Sequence, residues 1–194
     1  MADDGVIVDS DLDFDRAVEG TAAPRQVLES LRLIDVRYYD FDGRRHKGQF
    51  VVHRDLASDL LELFTLMERQ RFPVTRATPI VCFGWSDMAS MAADNSSAFN
   101  YRLIAGTNRF SRHALGRAVD INPRENPAMY PDGRIAPAGA VRRPAKPGTF
   151  TEEHPVVQAF RQKGWRWGGD FTHIRDYHHF EKSVERAPDA CSSG

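Results

Sequence analysis

The sequence predicts an α+β domain in which a small antiparallel sheet is flanked by helices. Three observations support this: a β-branched and aromatic hairpin pattern, two segments with apolar residues at helical spacing, and a later run that alternates apolar with polar residues before a proline. No internal repeat is present. We expect a single domain over residues 25–185, between a flexible acidic segment at 1–24 and a flexible tail at 186–194.

The hairpin comprises residues 33–41 and 48–53, which flank Asp42 and Gly43. An Asp-Gly pair accepts the positive φ of a tight turn between two strands. Two further strands are predicted at 79–83 and 117–123, the second because Val119 and Ile121 alternate with polar residues.

The first helix is expected from about Asp55 to Arg71. Its predicted apolar face consists of Leu56, Leu60, Leu61, Phe64 and Met67. The second helix is expected to begin at Thr151 as its N-cap and to end at Gly164. Its predicted buried face consists of Val156, Val157 and Phe160. Most of the prolines lie in a long surface loop from Arg124 to Gly148, and such loops in compact domains are more often functional than idle.

Composition excludes several classes of protein. The 194 residues include 26 Lys and Arg against 27 Asp and Glu, so a net charge of −1 argues against a nucleic-acid partner held by bulk electrostatics. No apolar run is long enough to span a membrane, and the acidic start lacks the pattern of a secretory signal. Cys82 falls in an apolar run, which predicts a buried and inert thiol, and its pairing with Cys191 is left open.

Two clusters of residues suggest a metal site. In the first, Asp120 follows His113 by seven residues, and a loop carrying the histidine would feed a strand carrying the carboxylate. In the second, Asp176 precedes His179 by three residues, so a turn would place both on one side. Together they supply two imidazoles and a carboxylate, with a fourth position for water, which is the composition of a catalytic zinc site. Asp176 could then take a proton from that water. The alternative is that His113 and Asp120 merely form a hydrogen bond and that Asp176 begins a turn.

The spacing resembles a known family. Ser-x-His-x-x-Gly-x-Ala-x-Asp at 111–120, Gly-Trp-x-Trp-Gly-Gly-Asp-Phe at 164–171 and Asp-x-x-His-Phe at 176–180 are similar to motifs of the D-alanyl-D-alanine carboxypeptidase and L-alanyl-D-glutamate endopeptidase family. These are zinc peptidases of bacterial cell walls and phage endolysins, related in fold to lysostaphin and the hedgehog domain. The resemblance runs from about Pro73 to Glu181.

The resemblance implies a role for each matching residue. His113, Asp120 and His179 correspond to the zinc ligands, and Asp176 corresponds to the general base. His178 is the competitor for the third ligand position, and the motif register favours His179. His178 is then expected to be solvated or to face the substrate.

One departure concerns an arginine. Relatives carry an arginine in a turn before the zinc motif, but the turn at 83–87 has none here. Arg102 is the nearest candidate to stabilise the developing oxyanion or bind a substrate carboxylate. We also expect Trp167 to lie near the substrate groove, and Ser111 to bind substrate or orient the loop by a hydrogen bond.

These observations lead to the expectation of a monomeric zinc peptidase that requires Zn²⁺, cleaves peptidoglycan stem peptides at the bacterial cell wall and has no nucleic-acid partner. Two types of cleavage remain open: D-Ala-D-Ala carboxypeptidase and L-Ala-D-Glu endopeptidase. A non-catalytic zinc-containing binding module on the same fold is the alternative from another class. The positioned carboxylate of Asp176 argues against it, because a structural zinc ion needs no base.

Overall fold

The computed structural model describes residues 5–183. Its α-helices are Phe14–Ala17 (α1), Arg25–Glu29 (α2), Ala57–Arg69 (α3), Asp87–Ala92 (α4) and Pro155–Gln162 (α5). Its strands are Ile7–Val8 (β1), Leu31–Tyr39 (β2), Arg45–His53 (β3), Arg76–Ala77 (β4), Asn95–Ser96 (β5), Ala118–Asp120 (β6), Ala128–Met129 (β7), Ile135–Ala136 (β8), Arg166–Trp167 (β9), Arg175–Asp176 (β10) and His179–Glu181 (β11). This mixture confirms the α+β class. Within the described range the strands form three three-stranded sheets and one two-stranded sheet rather than a single small sheet.

The predicted hairpin is confirmed as the antiparallel pair of β2 and β3. The turn depends on Asp40, whose Oδ1 accepts hydrogen bonds from the backbone N–H groups of Asp42 and Arg44, while Gly43 takes a φ of 78°. A residue with a side chain would be strained at that φ, so the Asp-Gly sequence determines the turn.

Helix α3 packs against β2 and forms one wall of the main core. Its buried side chains are Leu60, Leu63, Phe64 and Met67, which follow the 3.6-residue period of one helix face. The prediction of Leu61 as a core residue is wrong, since its position on that period turns it to solvent and leaves it 40% exposed. Leu63 takes its place.

The second main layer is the antiparallel sheet in the order β6, β11, β9, covered by α5. Phe180 lies at its centre, pairs with Val119 and Trp167 on the neighbouring strands, and stacks on Phe160 of α5 at a ring distance of 4.0 Å. The expected N-cap Thr151 is wrong. The cap is His154, whose Nδ1 accepts the N–H of Val156.

Two further expectations are corrected. The apolar run at 79–83 is a 3-10 helix, Ile80–Phe83, rather than a strand, and it ends at Gly84 in the left-handed conformation. Only Ile80 of this turn is buried, because a one-turn helix directs just one side chain inward, and Cys82 is therefore exposed rather than buried. Cys191 and the expected flexible tail lie outside the described residues, so the question of a Cys82–Cys191 pair stays open.

The N-terminal segment is packed rather than flexible over its described part, residues 5–24. Strand β1 pairs with β3, and Ala17 and Val18 are buried beside Phe99. Asp9 holds this segment to the hairpin, because its carboxylate contacts His46 Nδ1 at 3.0 Å and accepts the hydroxyl of Tyr38. The acidic residue Asp9 in this segment therefore makes specific polar contacts with the hairpin.

The loop at 124–148 contains the short strands β7 and β8 and is otherwise irregular. No helix within residues 5–183 has the length and apolar character needed to cross a membrane.

Gly116 is predicted to be indispensable for stability. Its φ is +63°, and an added Cβ would lie 2.6 Å from Leu31 Cδ2 and 2.7 Å from the backbone nitrogen of His53. We expect Gly116→Ala to cost about 1–3 kcal/mol for this overpacking beyond about 1 kcal/mol of backbone strain. Gly133→Ala is the matched control, since Gly133 also has a positive φ but has nothing within 4 Å of its Cβ position. Urea unfolding measures both, and equal losses would rule out the collision.

Candidate metal centre

The register of β6 and β11 brings two polar side chains to the same spot. His179 lies directly opposite Asp120, and the next pair along, Phe180 and Val119, lies opposite as well. Because side chains alternate across a strand, Phe180 and Val119 enter the core while Asp120 and His179 share the other face. Both polar residues are nevertheless buried, and the segment at 97–100 lies alongside β6, where Ser97 pairs with Asp120.

His113 reaches the same spot from a 3-10 turn, Arg112–Leu115. Ser111 caps this turn, its Oγ accepting the N–H of His113 at 3.2 Å. The His113 ring is fixed by a contact of 2.5 Å between Nδ1 and the carbonyl oxygen of Ala98. Since a carbonyl only accepts, Nδ1 carries the proton, and Nε2 of the neutral ring presents a lone pair to His179 and Asp120.

The three side chains have the separations that a tetrahedral metal ion requires. His113 Nε2 lies 3.2 Å from His179 Nδ1, and these nitrogens lie 3.1 Å and 3.0 Å from the two Asp120 oxygens. Ligand atoms about 2.0–2.1 Å from a zinc ion stand about 3.3 Å apart in a tetrahedron. Two imidazole nitrogens and a carboxylate are also donors that zinc accepts. The residues therefore fit a metal ion, and among residues 5–183 no other group of three such side chains does.

Asp176 stands next to this cluster. His178 links the two, because its Nε2 lies 2.9 Å from Asp176 Oδ1 and 3.9 Å from Asp120 Oδ2. The Asp176 side chain remains 22% exposed, so solvent and ligands can reach it. Burial by itself would raise the pKa of Asp176, but the charge and hydrogen bond of His178 outweigh burial and lower that pKa. Asp176 is thus ionised at neutral pH.

His178 differs from its expected solvated position. It is buried, and its Nδ1 donates to the carbonyl oxygen of Asn126 at 2.8 Å. Burial alone would lower its pKa, but the negative charges of Asp176 and Asp120 raise the pKa of His178 to about 9. The ring therefore holds the Asp176 carboxylate from inside the protein rather than facing solvent.

The cluster has a strongly negative local field. Burial would raise the pKa of Asp120, yet His113 and His178 hold that pKa well below its ordinary value. Burial would likewise lower the pKa of His179, but Asp120 and Glu181 raise it to about 10. Carboxylates that stabilise the positive charge of a protonated histidine also attract a metal cation.

Asp176 is positioned by a short strand on one side and by the 3-10 turn Gly168–Asp170 on the other. Strand β10 pairs with β7 of the long loop, where Asp176 lies opposite Ala128. On the other side the Gly168 backbone approaches so closely that an added Cβ would lie 2.3 Å from the Asp176 carbonyl oxygen and 3.1 Å from His179 Cβ. The Gly-Gly pair after Trp167 is therefore a packing requirement of the site.

The remaining sequence-predicted residues occupy different positions. Arg102 forms an ion pair with Asp87 at 2.8 Å, and its buried Nε has no hydrogen-bond partner within residues 5–183. Ser111 accepts the N–H of His113 in its own turn, so of its two expected roles the structure shows the one that orients the loop. The expectation that Trp167 lies near the groove is wrong: its ring is buried in the main core, and its Nε1 donates to the carbonyl of Tyr177.

Sequence reasoning missed three residues near the centre. Glu181 Oε2 lies 3.3 Å from His179 Nε2, and strand alternation would have found it, since residues two apart share a face. Asn126, fully buried, joins the long loop to His178 and accepts the N–H of Phe150 at 2.6 Å. Burial and the charge of Asp176 raise the pKa of Tyr130, which places its hydroxyl within the field of the site. The last two lie in irregular chain, where periodicity gives no signal.

Residues 105–182 match the family model described as D-alanyl-D-alanine carboxypeptidase. The match covers less than half of the chain, but it includes all four residues of the cluster, namely His113, Asp120, Asp176 and His179. It confirms the resemblance to the D-alanyl-D-alanine metallopeptidases over this part of the chain, and it supports a peptidase. Comparison with curated proteins and with solved structures gave no match.

Gly168→Ala is predicted to lower peptidase activity without unfolding the domain. The added Cβ would push the Asp176 backbone away, and a misplacement near 1 Å costs up to about 100-fold in rate. Gly139→Ala is the control, because the long loop leaves nothing within 4 Å of its Cβ position. Steady-state kinetics and circular dichroism measure the two effects. Wild-type kinetics for Gly168→Ala would contradict the requirement for a bare backbone here.

Proposed function

We propose that the protein is a zinc-dependent peptidase that hydrolyses a peptide bond in the stem peptides of bacterial peptidoglycan. The observation that carries the proposal is the three-residue donor cluster, with separations of 3.0–3.2 Å, beside the partly exposed carboxylate of Asp176. The match of residues 105–182 to D-alanyl-D-alanine carboxypeptidases supports the choice of substrate.

His113 Nε2, His179 Nδ1 and Asp120 would hold the zinc ion. When bound, zinc polarises a carbonyl and lowers the pKa of bound water to about 7. Asp176 accepts the proton of the attacking water on its exposed carboxylate and passes it to the leaving amine. His178 keeps that carboxylate in place through the contact of 2.9 Å.

Arg102 is proposed to bind the oxygen that becomes negative in the transition state, or a substrate carboxylate. Its planar guanidinium suits either group, and its Nε has no hydrogen-bond partner among the described residues. Asp87 orients the guanidinium at 2.8 Å. The charges of Asp176 and Arg102 both act on the pKa of Tyr130, which supports a position of Arg102 near the site.

The long loop is proposed to shape the end of the substrate groove, and so to decide between D-Ala-D-Ala carboxypeptidase and L-Ala-D-Glu endopeptidase activity. Met129 on β7, which pairs with β10, and Ile135 on the next strand, β8, lie at the surface, each 40% exposed. Apolar side chains at this edge suit the methyl groups of alanine residues. We propose that the enzyme acts at the bacterial cell wall as a monomer, with no nucleic-acid partner.

Digestion of purified muropeptides tests the function. We expect the zinc-loaded chain to cleave them and a chelator to abolish cleavage, with product masses identifying the bond. His113→Ala and His179→Ala should lose both zinc and turnover, because each removes one donor atom. Full zinc content in His179→Ala would instead make His178 the ligand. Stoichiometric zinc in the unchanged protein, with no cleavage of any muropeptide, would support the non-catalytic binding module.

Asp176→Ala is predicted to keep its zinc and to lower kcat by about 10²–10⁴-fold, the usual contribution of a general base. Zinc content and kcat are expected to respond differently because Asp176 contacts His178 and is not one of the three donor residues. Asp170→Asn is the control, since Asp170 is an exposed carboxylate of the same segment that pairs with Arg161. Kinetics and elemental analysis are the measurements. Near wild-type turnover in Asp176→Ala would show that another group is the base.

A further inference from the structure

The ring of His179 lies between two carboxylates. Its Nδ1 is 3.0 Å from Asp120 Oδ1, and its Nε2 is 3.3 Å from Glu181 Oε2. All three side chains are largely buried, and Glu181 is only 16% exposed. Within residues 5–183, Glu181 is the one hydrogen-bond partner of this Nε2.

Only the neutral form of His179 binds a metal ion, and the position of the single proton that this form carries decides which nitrogen is available. On Nδ1 the proton would be donated to Asp120 and the lone pair that faces His113 would be lost. On Nε2 the proton is donated to Glu181 and Nδ1 is available. Asp120 and Glu181 therefore compete for the same proton, and an acceptor behind the ring is needed to favour the metal-binding form.

In His113 the acceptor behind the ring is a backbone group, the carbonyl oxygen of Ala98, which keeps the proton on Nδ1. No substitution of a side chain can remove that acceptor. For His179 the acceptor is a side chain, which makes its contribution measurable.

The position of Glu181 is fixed by its strand and by an ion pair. It belongs to the central strand β11, lying opposite Ala118 on one side and Arg166 on the other. Its second oxygen, Oε1, is 3.3 Å from Arg166 Nη1. The strand is tied beyond Glu181 by Lys182, whose N–H donates to Arg117 O and whose Nζ donates to Asp59.

We infer that Glu181 is a positioning residue that keeps the proton of His179 on Nε2 and so leaves Nδ1 free to bind the metal ion. The inference rests on the proposed zinc function, and it assigns to Glu181 no contact with substrate. Carboxylates behind metal-binding histidines typically change metal affinity by about 10–100-fold when they are removed.

Competition with a chromogenic chelator measures the zinc affinity of the full chain. We expect Glu181→Ala to weaken zinc binding by about 10–100-fold. Glu181→Gln should lose less, since its amide oxygen still accepts the Nε2 proton without the negative charge. Arg166→Ala is the matched control: it removes the other partner of Glu181, an exposed side chain, and should leave zinc affinity unchanged.

The unfolding midpoint of each metal-free variant separates positioning from a general structural role. We expect the unfolding midpoints of the three variants to lie close to that of the unchanged protein. Zinc affinity should fall most in Glu181→Ala, less in Glu181→Gln and not in Arg166→Ala. Wild-type zinc affinity in Glu181→Ala would overturn this inference while leaving the proposed function intact. Failure of the unchanged protein to bind zinc would overturn both.

Discussion

The antiparallel pairing of β6 with β11 is the interaction on which both the core and the site depend. It places Val119 opposite Phe180 on one face and Asp120 opposite His179 on the other. A shift of one residue would exchange the two faces, burying a carboxylate and an imidazole in the core. The aromatic stacking of Phe180 on Phe160 therefore favours the register that brings Asp120 and His179 together, and it packs α5 against the sheet.

The site is assembled by contacts between backbone groups, which explains how distant residues converge. Ser97 exchanges two backbone hydrogen bonds with Asp120, and Asn100 N–H donates to the carbonyl of His113. The segment at 97–100 thus holds two of the three donor residues. Phe99 of this segment packs against the N-terminal segment, so the packed residues 5–24 support the metal centre from behind.

Features with a short-range signal could be predicted from the sequence, namely the hairpin turn at Gly43, the period of α3 and the alternation around Asp120. Features decided by tertiary contacts could not. The 3-10 helix at Ile80–Phe83 has an apolar run that fits a strand equally well. Trp167 is followed by the glycine pair, which suggested a groove, but those glycines make room for the Asp176 backbone and for the Trp167 ring.

The carboxylates at the centre need positive charge beside them. Asp120, Asp176 and Glu181 surround His178 and His179, and they raise the pKa values of those histidines to about 9 and 10 against the cost of burial. Buried carboxylates without a counter-charge are costly, so the site must take up either protons or a metal ion. A bound zinc ion would supply that charge with a single group. This requirement explains why so few charged residues, in a chain of net charge −1, are enough to define the chemistry.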